Sequence, residues 1–295
     1  MVPRSLLRLG LIGGGLFAVC VAQGEGARAG ADDGAGKREA SSAAWCAPEL
    51  TTLAGEVCSY QAPAAKAAEP AKPIEPPGEP SGKADQAPAK APEAATDTLV
   101  IFLHGVIKAD SGWQYNQQRA LLRAAKVNHF DLLAPRGRRG IGPKDMEDWW
   151  TWPTKSSAQK TVEPEIFQEW RDARKALEQA RGSSYKRLLI IGFSNGAYYA
   201  SSLVLRDAFE ADGYATLAGG GANYLERTAR NVKRRPPVYV GWGLKDTSAR
   251  KDAAGFAKLL NRIGWVHRSK ARPKVGHSMT DAQLGEALAF LRGKS

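Results

Sequence analysis

The chain has 295 residues, enough for one or two domains, and its hydrophobic content of 43% is ordinary for a chain that buries a core. Lys+Arg number 42 against 30 Asp+Glu, a net charge of +12, while His and Cys number only four and three. So few soft ligands, with no zinc-finger spacing and no aromatic–basic RNA signature, argue against a metal-built module and against nucleic acid as the partner.

The chain opens with Arg4 and Arg8, continues with an apolar run over residues 9–22, and then offers small residues at Cys20-Val21-Ala22. This is the charged, apolar and cleavable pattern of a secretory signal, so residues 1–22 are expected to be a signal peptide cut after Ala22. The run is short for a membrane span, which needs about 20 apolar residues; an uncleaved anchor is the plainer alternative. Phe17-Ala18-Val19 ahead of Cys20 makes a poor lipidation signal. The expected location is periplasmic, cell-envelope or extracellular.

In that setting Cys46 and Cys58 are expected to pair as a disulfide within a small N-terminal segment, residues 23–60. Residues 61–96 are rich in Ala, Pro, Lys and Glu, as in Ala68-Glu69-Pro70-Ala71-Lys72-Pro73. With almost no large apolar side chains the stretch cannot offset the entropy of ordering, and it reads as a disordered or semi-extended linker. In polyproline form it would reach on the order of 100 Å at about 3.1 Å per residue. Such a linker suits either a tether at an envelope surface or a simple spacer. Residues through Thr96 hold nine Lys+Arg and eleven Asp+Glu, so the remainder carries +14. Its densest runs are Arg136-Gly137-Arg138-Arg139 and Lys233-Arg234-Arg235. They would speed encounter with an anionic envelope surface, or they are simply a solvated basic face.

From residue 97 to 295 short apolar runs alternate with amphipathic stretches. Residues 98–103, 130–133, 186–192, 214–217, 238–242 and 266–270 read as strands. Residues 113–126, 163–181, 196–206, 256–263 and 281–291 read as helices. Strand–helix alternation with continuous apolar strands predicts an α/β fold: a mostly parallel central sheet covered by helices on both faces. Sites in such a sheet form at the strand C-terminal ends.

Gly192-Phe193-Ser194-Asn195-Gly196 matches G-x-S-x-G between an expected strand and an expected helix. A nucleophilic serine needs that sharp turn to stand clear of the sheet, and flanking glycines make room for it; a plain tight turn is the bland reading. A serine hydroxyl also needs a base. Of four histidines, His129 and His267 sit at or in strands and read as packing residues. His277, in Val275-Gly276-His277-Ser278, lies in a loop after the last expected strand. Asp246, just past residues 238–242, is the expected partner of the base, with Asp252 as fallback or helix cap. The order Ser194, Asp246, His277 is that of α/β-hydrolases. The backbone N–H groups of Asn195 and Val106 are the expected oxyanion donors, with His104 supporting the loop and not acting as base.

On Leu103-His104-Gly105, Ala134-Pro135, Asp148-Trp149-Trp150, the serine motif and Gly276-His277-Ser278, residues 99–291 resemble the phospholipase/carboxylesterase group of α/β-hydrolases, which includes acyl-protein thioesterases. The resemblance implies an α/β-hydrolase fold, a small-molecule or lipid ester (or thioester) as substrate, cleavage through an acyl-enzyme, and no cofactor or metal. Two departures bear on substrate class: no Gly-Asp pairing follows Gly105, and Thr247-Ser248 stands where valine-proline often follows the acid. In that group a tryptophan lies beside the site, which marks Trp149 and Trp150 as substrate-binding candidates; alternatively they cover the sheet edge. Rival readings are a polyester depolymerase or feruloyl-type esterase, a peptidase, and a non-catalytic binding module tethered to the envelope. A complete triad has no chemical purpose in the last.

Overall fold

The computed structural model describes residues 44–63, 96–221 and 223–293. The expected signal peptide, and the expected linker except for its two ends, lie outside them.

Two strands carry the core. β3 (Thr98–Leu103) and β5 (Arg187–Phe193) are apolar almost without interruption, and they pair in parallel from Thr98↔Arg187 to Leu103↔Gly192. Because strand side chains alternate between faces, one run feeds two cores. Leu99, Ile101, Leu103, Leu188 and Ile190 pack on one side, and Val100, Phe102, Leu189 and Ile191 on the other. Each such aliphatic side chain, fully buried, contributes about 1.5–3 kcal/mol. The first core is closed by α2 (Ser156–Arg181), α3 (Asn195–Arg206) and α5 (Arg250–Arg262), the second by α1 (Trp113–Asn128) and α6 (Asp281–Leu291).

β4 (Asp131–Ala134), β6 (Gly213–Leu217), β7 (Val238–Gly243) and β8 (His267–Arg272) extend the sheet in parallel, and a short α4 (Glu226–Asn231) precedes β7. The α/β expectation holds: eight strands, mostly parallel, run in the order β1-β2-β4-β3-β5-β6-β7-β8. The strand C-terminal ends share one edge, where the loops after β3, β5, β7 and β8 gather.

The first two strands are additions that the apolar pattern does not announce. β1 (Thr51–Thr52) and β2 (Cys58–Tyr60) form a hairpin antiparallel to β4, with Cys58 opposite Ala134. Cys46 and Cys58 are joined as a disulfide. Trp45, Cys46, Ala47 and Leu50 are buried with α1. Gln118 of α1, itself buried, clamps the strap: its Oε1 accepts from Ala47 N–H (2.7 Å) and its Nε2 donates to Trp45 O (3.1 Å). The folded unit therefore draws on residues well ahead of Asp97. Ala62 and Thr96 are both anchored: Ala62 N–H donates to Asp131 at the start of β4 (2.8 Å) and Thr96 Oγ1 to His129 O at the end of α1 (2.7 Å). α2 starts at Ser156, ahead of the expected 163, with Pro164 inside it.

Candidate active site

β5 ends and α3 begins at Ser194, whose backbone sits at φ 51°, ψ −118°. A non-glycine residue at positive φ is strained and persists only where its surroundings hold it. Here the surroundings are tight enough to require both flanking glycines. A Cβ on Gly192 would lie 2.2 Å from Gly196 O, and one on Gly196 would lie 2.1 Å from Leu103 O. Ser194 N–H donates to Leu217 O (2.9 Å) and Ser194 O accepts from Ala197 N–H (2.9 Å), which fixes the turn at both ends. The side chain stands half-exposed above the sheet.

His277, on the loop after β8, brings Nε2 to 2.9 Å from Ser194 Oγ and Nδ1 to 2.9 Å from Asp246 Oδ2. Phe193 packs against its ring at 5.3 Å. Asp246 is buried beyond the end of β7. Burial pushes its carboxyl pKa up, but donation from Ala249 N–H, His277 and Ser248 outweighs burial and leaves it below the ordinary carboxylate value. Its Oδ1 takes three donors: Ser248 N–H (3.0 Å), Ser248 Oγ–H (2.8 Å) and Ala249 N–H (2.9 Å). Oδ2 is thus left for the imidazole. Ser248 Oγ also lies 3.2 Å from His277 Nδ1, so the serine found where valine-proline was expected braces acid and base together. Asp252, the fallback, instead accepts from Tyr198 Oη (2.7 Å) in the first turn of α5. His129 caps α1, and His267 Nδ1 lies 2.8 Å from Trp265 O. Neither approaches Ser194.

The loop after β3 is built against the elbow. A Cβ on Gly105 would lie 3.2 Å from both Ser194 Cβ and the Phe193 ring. His104 O accepts from Gly196 N–H (3.1 Å) and from Trp152 Nε1–H (2.9 Å), while Trp152 N–H donates to Asn195 Oδ1 (2.7 Å). Gln117 accepts from Gly105 N–H (2.8 Å), and Ile107 and Trp150 exchange backbone bonds of 3.1 and 2.8 Å. Between these anchors, the N–H groups of Val106 and Asn195 donate to no acceptor among the described residues. The His104 ring supports the loop from below. Gly137 N–H donates to its Nε2 (2.9 Å), so the ring proton sits on Nδ1, facing Gly105 O at 2.5 Å. Burial, opposed by the bond to Gly105 O, lowers its pKa to about 4, so the ring is neutral at neutral pH. Such an arrangement can take a proton from a serine hydroxyl and hold a developing oxyanion.

No family model matches the chain. Acyl-protein thioesterase 1 of Eremothecium gossypii is 25% identical over 208 residues, 65% of this chain and 86% of that protein. Among solved structures, esterase PE8 is 20% identical with a TM-score of 0.50, over 68% of this chain and 93% of its own. A single-substitution variant of SOBER1 from Arabidopsis thaliana is 17% identical with a TM-score of 0.52, over 66% and 99%. The fold is that of the α/β-hydrolases. Within them, this chain resembles the phospholipase/carboxylesterase group.

The tryptophans near the site divide by position. Trp152 is fully buried, stacked on Tyr199 (5.8 Å, 6° between planes), and ties the elbow to the loop after β3. Trp150 is half-buried under the Arg136 guanidinium, 4.0 Å from the ring centroid. Trp149 packs edge-on against Trp113 at 5.8 Å. Trp150 lines a cleft of about 320 Å³ that also includes Trp45, Ile107, Gln114 and Arg136. Sequence reasoning marks Ser248 only as a departure from the usual pair and does not single out Gln117, Trp45 or the bracing part of Trp152. Trp152 had one signal, its place beside Trp149 and Trp150 in sequence; Gln117 and Trp45 act through contacts that no local pattern records.

Proposed function

We infer that this chain is a serine ester hydrolase, cleaving carboxylic esters or thioesters through an acyl-enzyme on Ser194, and that it works outside the cytoplasm. The observation that carries the reading is the unbroken relay from Ser194 Oγ through His277 to Asp246, two bonds of 2.9 Å each. The thioesterase and esterase names of similar proteins support the acyl class. The leader-like start and the disulfide support export.

In the first half-reaction Ser194 Oγ attacks the acyl carbonyl and His277 Nε2 takes its proton. Asp246 stabilises the imidazolium that forms. The amides of Val106 and Asn195 receive the oxyanion, and because the loop is already anchored they need little reorganisation as charge develops. His277 then protonates the leaving oxygen or sulfur. In the second half-reaction it activates water, which adds to the acyl carbon and frees Ser194.

The test is hydrolysis of a p-nitrophenyl ester series of increasing acyl length by wild type and Ser194→Ala, with fluorophosphonate labelling alongside. The expected result is labelling and turnover in wild type, and neither in a folded Ser194→Ala. Turnover retained without Ser194 would falsify the nucleophile assignment. A folded wild type that neither labels nor turns over would favour a binding module.

A further inference from the structure

The two loops that carry the acid and the base also carry cations without a counter-charge. Lys245 immediately precedes Asp246, and Lys274 stands three residues ahead of His277. Backbone bonds stitch the loops together: Leu244 N–H donates to Arg272 O (2.8 Å) and Lys245 N–H to Val275 O (2.9 Å). Arg250 joins them, its Nη1 donating to Leu244 O at 2.8 Å, and Lys251 follows it in α5. All four residues are exposed. Among the described residues none of the four forms an ion pair.

Neighbouring cations are treated differently. Lys270 and Arg272, on β8 just ahead of the His277 loop, share Glu286, and Arg230 and Arg262 share Glu226. Asp281, four residues past His277, is held by Arg123. The two carboxylates within the cluster's own stretch of chain are already engaged. Asp246 is buried and accepts from His277 and Ser248, and Asp252 accepts from Tyr198 Oη. Arg250 and Lys251 also stand in the first turn of α5, where a cation opposes the helix dipole and lowers stability. Stability gives no reason to gather four cations here, because like charges held close together repel.

A charge need not touch a substrate to act on it. Lys245 is one Cα step from Asp246 and Lys274 three from His277, about 4 Å and at most about 11 Å. Charges separated by up to about 8–10 Å still interact at physiological ionic strength. The field of the cluster therefore reaches the imidazole side of the site. His277 hands its proton to the leaving oxygen or sulfur, so the leaving part of a substrate departs on that side.

We propose that the ester or thioester cleaved carries an anionic group, a carboxylate or phosphate, on its leaving part, held in the field of Lys245, Arg250, Lys251 and Lys274. This rests on the serine ester hydrolase reading. The reaction is hydrolysis: the oxygen of water stays on the acyl carbon, and the anionic alcohol or thiol leaves with the proton from His277.

The test compares two acetyl esters at low ionic strength. One is 4-acetoxybenzoate, whose leaving phenol carries a carboxylate; the other is the neutral 4-acetoxybenzamide. Their kcat/KM values are measured for wild type, for Lys245→Gln with Lys274→Gln, and for Lys126→Gln with Lys186→Gln. The last pair removes two exposed cations just ahead of β4 and β5, at the opposite edge of the sheet. Two unit charges at about 10 Å in a water-like dielectric change the ratio of anionic to neutral ester about fourfold. That fall is expected in the first pair, mostly through KM, and not in the second. It is expected to vanish at about 0.5 M salt. The ratio does not depend on the fraction of protein folded. Sedimentation of the full chain with phosphatidylcholine vesicles, with and without phosphatidylglycerol, locates the anion. Phosphatidylglycerol-dependent binding that the first pair weakens more than the second assigns it to a lipid headgroup; a fall in ratio without such binding assigns it to a soluble ester. An equal fall in both pairs, or none in either, would overturn the anionic substrate while Ser194-dependent turnover of the neutral ester still stands. Absence of Ser194-dependent turnover of both esters would remove the hydrolase reading and this one with it.

Discussion

Acidification should loosen this fold through one ring. His104 is buried, its Nε2 lone pair is already used by Gly137 N–H, and its pKa is lowered from 6.5 to about 4, mainly by burial. An unfolded chain therefore takes up the proton first as pH falls. The neutral ring contributes its full stability above pH 6.5, and that contribution is lost as pH drops from 6.5 through 4. The drop from 6.5 to about 4 corresponds to about 3 kcal/mol in all, of which about 2 kcal/mol is gone by pH 5. Urea unfolding of wild type and His104→Gln between pH 7.5 and 4.5 isolates the ring, because other groups titrate in both proteins. The two stability curves should converge by about 2 kcal/mol between pH 7.5 and 5. Curves that stay parallel over that range would refute the neutral, singly protonated His104, and with it the account of what holds the Gly105–Val106 peptide in place.

Asp246→Asn should leave the fold intact but lower kcat by about 10⁴-fold on p-nitrophenyl acetate, because an amide no longer holds His277 in the productive tautomer; a loss below tenfold would remove Asp246 from the relay. Gly196→Ala should destabilise by about 1–3 kcal/mol, the cost of overpacking, because its Cβ would meet Leu103 O at 2.1 Å. Gly285→Ala, in α6 with nothing within 4 Å of the new carbon, should instead stabilise by about 0.5–1 kcal/mol in the same urea assay. Reducing Cys46–Cys58, a pair separated by 12 residues, should cost roughly 3 kcal/mol by loop entropy and lower the melting temperature by about 6–12 °C in calorimetry.

What was legible in the sequence was what a local pattern can encode. β3 coincides with its expected run because six consecutive buried residues leave no alternative, and the Ser194 elbow is visible because its residues form one short local motif, although Gly196 is demanded by the distant Leu103 O. His277 and Asp246 stand out as candidates in the sequence because each follows an expected strand. The hairpin of β1 and β2 went unseen because strands of two and three residues carry no periodicity, and their pairing with β4 is a long-range event. The start of α2 was missed because its first turns are polar and Pro164, a residue that favours helix starts, stands inside the helix. Ser248 was read only as a departure from a familiar pair; its double contact with Asp246 and His277 exists only once two loops meet. Gln118 and Trp45 likewise gain meaning only from each other's segments.

The strap that carries Trp45 has its disulfide entirely within itself: Cys46 and Cys58 lie on the same side of the stretch between Pro63 and Thr96. Among the described residues, no covalent bond joins it to the rest of the fold. Trp45 packs edge-on against His104 at 5.0 Å, so a single peptide-bond cleavage between residues 63 and 96 would break no described element. It would, however, turn a wall of the cleft into a separate peptide. Its retention would then pass from a unimolecular equilibrium, with an effective concentration of roughly millimolar, to a bimolecular one that dilution can reverse. A nicked protein that keeps its strap when concentrated and sheds it when dilute would mark this region as a two-fragment complementation system.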